Sequence, residues 1–235
     1  MAYSLLRPLS LSALALTASL SLAMADTAKK ADDHAHDHSH SHDHAHSHDH
    51  AHSHDDAKSQ IYKGYFEDSQ IAPRPLSDWE GAWQSVFPLL QDGTLDPVMA
   101  DKAAHGDKSA AEYKAYYETG YATDTDAIII KGDQISFTSK GETATGTYAS
   151  DGYEILNYEK GNRGVRFIFK KTAGDAAAPE FIQFSDHIIA PEKSGHYHLY
   201  FGNDRAALLK ELTNWPTYYP AGLSGAEIVS EMLAH

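Results

Sequence analysis

The sequence predicts a mainly β protein, an antiparallel barrel with flanking α-helices, on three observations. Seven short runs rich in β-branched and aromatic residues follow one another between Ala127 and Phe201. Short turns containing Gly, Asn or Asp join several of them, which implies antiparallel neighbours. Helix signals lie before and after this block, and closing the meander into a barrel removes its exposed edges.

Residues 1–25 read as a secretory signal. Arg7 supplies the positive charge, Leu9–Leu22 the apolar run, and Ala23-Met24-Ala25 the small residues of a cleavage site before Asp26. A bacterial periplasm is the expected destination. No other apolar stretch approaches the roughly 20 residues of a membrane span, so no membrane insertion is expected after cleavage.

Residues 26–60 are of low complexity, with no large apolar side chain to offset the entropy of ordering the chain. They read as a disordered, flexible arm. Every even position from 34 to 54 carries histidine: His34, His36, His38, His40, His42, His44, His46, His48, His50, His52 and His54. Such a chain offers many overlapping, weak and labile imidazole chelates, and its tether raises the local metal concentration near the domain that follows.

Residues 61–235 have the composition of one globular domain. Ser77-Asp78-Trp79-Glu80 has the form of a capping box and predicts a helix running to about Leu90. A second helix is expected over 109–118, with Gly120 as its C-terminal glycine. Strands follow at 127–130 and 134–138 around Lys131-Gly132-Asp133. Two more, 143–149 and 153–158, flank Asp151-Gly152, which reads as a hairpin turn. Strands 165–170, 181–187 and 196–201 complete the series. Helices are expected at 204–212 and 224–233, separated by Asn214–Pro220.

The chain contains no cysteine, which excludes thiolate metal sites and thiol catalysis. Its net charge of −14 argues against nucleic acid or anionic lipid as partners. A transition metal would have to be held by His, Asp or Glu, and three-histidine sites suit zinc best. Outside the arm stand His105, His187, His196, His198 and His235. His196 and His198 are two apart on a predicted strand and share a face. His187 ends the preceding strand and lies opposite His196 if residues 188–195 close a hairpin. These three form the candidate tight metal site, with a fourth zinc position left over. Alternation points Asp186 to the other face. His105 reads as a solvated loop residue and His235 as a frayed end.

Long segments then resemble one family. Ile182–Pro191 and His196–Asp204 are similar to the ZinT (YodA) family, as are Leu76–Val86, Tyr116–Asp124, Asn214–Pro220 and Glu231–His235. The resemblance spans nearly all of residues 61–235. It implies a lipocalin-like (calycin) barrel with added helices and a role in periplasmic zinc binding under zinc shortage. The implied partner is the solute-binding protein of a zinc ABC importer, and related domains occur fused to zinc-importer lipoproteins. The family's metal histidines match His187, His196 and His198. Some relatives carry a cysteine pair in the barrel that is lacking here, and the histidine arm is longer and more regular.

Capture of Zn(II) under zinc limitation by a monomer that buffers it or passes it on, without catalysis, is therefore the expected function, with Cd(II), Cu(II), Ni(II) or Co(II) as competitors. Two alternatives share its features. Three histidines and a water also suit a zinc hydrolase or hydratase, and a barrel suits a lipocalin-type carrier of a small ligand. No catalytic motif such as His-Glu-x-x-His is present.

Overall fold

The computed structural model describes residues 51–210 and 212–234. Eight antiparallel strands close into a barrel in chain order. They are β1 (Gly81–Ser85), β2 (Thr125–Lys131), β3 (Gln134–Ser139), β4 (Glu142–Asn157), β5 (Arg163–Gly174), β6 (Phe181–Ser185), β7 (Tyr197–Gly202) and β8 (Thr217–Pro220). The helices are α1 (Ala51–Tyr62), α2 (Phe87–Gln91), α3 (Asp96–His105), α4 (Ala110–Tyr121), α5 (Arg205–Leu208) and α6 (Gly225–Leu233).

Strand alternation sorts the side chains. Trp83, Phe137, Phe167, Phe184, Tyr197 and Tyr218 belong to the interior cluster, with Trp79 stacked on Phe184 at 4.5 Å. Each buried side chain of this size contributes about 1.5–3 kcal/mol of apolar burial. A second core packs Leu90, Val98, Met99, Tyr121 and Ile228 around Tyr219 of β8. It gathers α2, α3, α4 and α6 near one part of the wall.

Several elements differ from expectation. The helix read from Ser77 to Leu90 is a short 3-10 turn (Leu76–Trp79), then β1, then α2. Gly81, with φ of 144°, starts β1, and Trp83 and Gln84 pair with both β2 and β8. Barrel closure overrides the local capping signal, and Pro75 rather than Ser77 stands at the N-cap of the turn. Asp151-Gly152 does not turn a hairpin. β4 runs through it with a register shift between Ser150 and Tyr153, the signature of a bulge, and Gly152 takes a φ of 84°. Thr217–Pro220, read as part of a connection, is the closing strand.

Gly120 lies inside the last turn of α4 rather than beyond it, and a Cβ there would come within 2.4 Å of the Trp215 ring. The capping boxes Ser109–Glu112 and Ser224–Glu227 begin α4 and α6. The helix read at 204–212 shortens to α5, capped by Asp204. α1 takes in residues 51–60, where the composition predicts the disordered end of the arm. The signal segment and arm positions up to residue 50 lie outside the described residues.

Candidate metal centre

β6 and β7 pair with Ser185 opposite His198, and continuing that register sets His187 opposite His196. Tyr197 and Leu199 point into the barrel, so His196 and His198 take the outer face. β6 ends at Ser185, two residues earlier than expected, and His187 follows in the loop with a φ of 64°. The three imidazoles nevertheless gather. Their centroids are 5.7 Å apart for His187 and His198, 6.1 Å for His196 and His198, and 6.4 Å for His187 and His196.

Three imidazoles on one tetrahedral zinc at about 2.0–2.1 Å would place their centroids roughly 5.2 Å apart. The observed triangle is wider by about half to one ångström. No set of three His, Asp or Glu side chains among the described residues is already drawn in tightly enough to hold an ion.

Hydrogen bonds orient two of the rings. His187 Nδ1 lies 3.0 Å from the backbone oxygen of Tyr62, an atom that only accepts, so Nδ1 carries the proton. His198 Nδ1 lies 2.8 Å from Thr217 Oγ1, and that hydroxyl donates to the Trp215 carbonyl at 3.0 Å. The hydroxyl proton is thereby committed, and Thr217 accepts from His198. In the neutral form of each ring this tautomer makes Nε2 the candidate ligand atom. Stacking adds rigidity: Tyr62 lies on His187 at 4.5 Å, and Tyr219 on His196 at 5.0 Å and 8°.

His198 is held neutral. Burial, then the neighbouring His187, His196 and Arg166, keep its pKa well below the ordinary imidazole value. A small open cleft reaches all three histidines, walled by Tyr62, Val98, Lys102, Thr217, Tyr219 and Met232.

Asp186 does not join the histidines. It is buried, accepts from Arg74 Nη1 at 2.6 Å, and takes the Trp79 indole N–H at 3.1 Å. His105 closes α3, exposed, with its ring against the Asp101 carbonyl at 2.9 Å. His52 and His54 fall on α1. His34 to His50 and His235 lie outside the described residues.

A family model described as "ZinT (YodA) periplasmic lipocalin-like zinc-recruitment" matches residues 57–235. The chain belongs to the ZinT family. Its eight-stranded closed barrel is the lipocalin-like fold of that description. The chain is 56% identical over 177 residues to "Probable metal-binding protein YrpE" of Bacillus subtilis, covering 75% of this chain and 70% of that protein. It is 50% identical over 177 residues to "Zinc-binding lipoprotein AdcA" of Streptococcus pneumoniae, covering 74% of this chain but only 35% of AdcA. Among solved structures it matches the Zn(II)-bound ZinT-like domain of that AdcA at 50% identity and a TM-score of 0.71, covering 74% of this chain and 97% of the domain. Zn(II)-bound whole AdcA matches with a TM-score of 0.72, over 38% of its length.

Tyr62 and Thr217 escaped sequence reading. The alternating Thr217-Tyr218-Tyr219 is a strand signal, but Pro216 and Pro220 on either side masked it. Nothing near Tyr62 in the sequence points to a histidine 125 residues away.

Proposed function

We propose that this chain captures Zn(II) in the bacterial periplasm, after cleavage of its signal before Asp26. It holds the ion at His187, His196 and His198. The hydrogen-bond geometry carries the reading: acceptors on the Nδ1 atoms of His187 and His198 orient both rings beside a third imidazole. Three clustered imidazoles suit Zn(II), with Cd(II), Cu(II), Ni(II) and Co(II) as competitors. The names of the relatives support binding over catalysis, since YrpE is named a probable metal-binding protein and AdcA a zinc-binding lipoprotein. An open cleft and a spare coordination position favour exchange.

The arm from His34 to His54 gathers metal weakly beside this tight site. The recipient is the solute-binding protein of a zinc ABC importer, the partner that the family resemblance implies. Zinc titration with a competing chelator tests the binding step. Replacing the three histidines by alanine removes the tight site, whereas deleting the arm lowers stoichiometry and leaves one tight ion. Mixing the loaded protein with the importer's binding protein tests the transfer step. Transfer no faster than spontaneous zinc release would leave a buffer in place of a donor.

A further inference from the structure

We propose that Asp186 is a positioning residue for the zinc ligand His187: its carboxylate builds the turn that aims the imidazole, and Arg74 and Trp79 hold that carboxylate in place. This rests on the three-histidine zinc reading. His196 and His198 are placed by β7 and its pairing with β6 and β8. His187 has no such support, because it lies beyond the end of β6. Its φ of 64° falls in the left-handed region that residues other than glycine seldom adopt. A local device must hold it there.

Asp186 Oδ1 accepts from the Ile188 N–H at 3.2 Å. This contact from residue i to i+2 is an Asx-type turn, and it bends the chain around the residue between. Arg74 then spans the same turn. Its Nη1 donates to Asp186 Oδ1 at 2.6 Å and to the Ile188 carbonyl at 3.2 Å. Its Nη2 donates to the Glu192 carbonyl at 2.6 Å. One guanidinium therefore fixes the loop before and after His187. Asp78 and the Trp79 ring, 4.1 Å away, hold the guanidinium in turn, and the Trp79 N–H occupies Asp186 Oδ2.

The Arg74 and Asp186 side chains are fully buried. A buried ion pair is weak support for stability alone, since apolar residues of similar volume often serve as well. The geometry imposed on His187 supplies a reason for its presence.

The test measures zinc dissociation constants by chelator competition for Asp186→Ala, Asp186→Asn, Trp79→Phe and His187→Ala. Asp186→Asn and Trp79→Phe are also made in the His187→Ala background, with melting curves of each metal-free protein. Asp186→Ala is expected to weaken zinc about 10–100-fold. Asp186→Asn, which keeps an oxygen for the turn, and Trp79→Phe should weaken it less. In the His187→Ala background these losses should vanish, although the losses of thermal stability remain. Equal weakening with and without His187, or no weakening by any Asp186 variant, overturns the positioning role. Unchanged zinc binding in His187→Ala alone would instead remove the zinc reading on which the role rests.

Discussion

His198 Nδ1 and Thr217 Oγ1 are 2.8 Å apart, and the same hydroxyl is anchored 3.0 Å from the Trp215 carbonyl. The relay puts the His198 ring proton on Nδ1 and makes Nε2 the candidate ligand atom. Thr217→Val keeps the shape and removes the acceptor. Zinc affinity should fall about 10–100-fold, as for other lost partners of metal-bound histidines. Thr217→Ser should stay within a few-fold of the parent. Chelator competition on all three proteins is the measurement, and equal affinities for Thr217→Val and the parent would exclude the relay.

Tyr62 closes α1 and meets His187 twice, through its backbone oxygen at 3.0 Å and its ring at 4.5 Å. The helix that continues the histidine arm thus ends on a candidate ligand. Tyr62→Ala removes the stack and loosens the ring. Zinc release should become several-fold faster, while His196 and His198 retain the ion weakly. Stopped-flow release into excess chelator reads this directly. A release rate equal to the parent's would show that the stack does not contribute to retention.

The barrel and its three histidines were legible because both follow from alternation. His196 and His198 share a face by spacing alone, and Ser185 opposite His198 carries the same register to His187. What escaped depended on distant partners. Ser77-Asp78-Trp79-Glu80 satisfies the local rules for a helix start, yet β1 forms next to it because β2 and β8 need a strand between them. Asp151-Gly152 has the form of a hairpin turn, but β5 pairs with β4 on both sides of it, which leaves only a bulge. Tyr62 and Thr217 meet the histidines from remote positions, and no short motif records that.

Gly120 sits where a methyl group would lie 2.4 Å from the Trp215 ring. The same contact is fastened by the backbone N–H of Trp215 on the Gly120 carbonyl at 2.6 Å, and by the Asn214 side-chain amide on the carbonyls of Thr119, Gly120 and Ala122. Helix propensity favours alanine over glycine, by up to about 1 kcal/mol. The clash outweighs this, because overpacking against a fixed ring costs about 1–3 kcal/mol. Gly120→Ala should therefore lower the melting temperature of the metal-free protein, by roughly 2–4 °C per kcal/mol for a domain of this size. A rise in melting temperature would mean that the ring yields.

Acid should act on the metal-free protein through His198. Its folded pKa is held well below the ordinary imidazole value, first by burial and then by His187, His196 and Arg166. In the unfolded chain it titrates near about 6.5. Between those two values the unfolded state binds the proton and the folded state does not, so stability rises with pH across that window. The contribution is complete above about pH 6.5 and is lost as pH falls toward the folded value. Zinc follows the same direction, because the ion needs the unprotonated ring and binds the folded state. His198→Gln removes the titrating group. Melting temperatures of the metal-free parent should therefore fall more steeply than those of the variant as pH drops from about 6.5 toward 5. Carboxylates and other histidines titrate in both proteins, so the difference between the two curves reports His198 together with its coupling to His187 and His196. Parallel curves would mean that His198 is protonated in the folded protein as readily as in the unfolded chain, and that its ring is not held neutral for the metal.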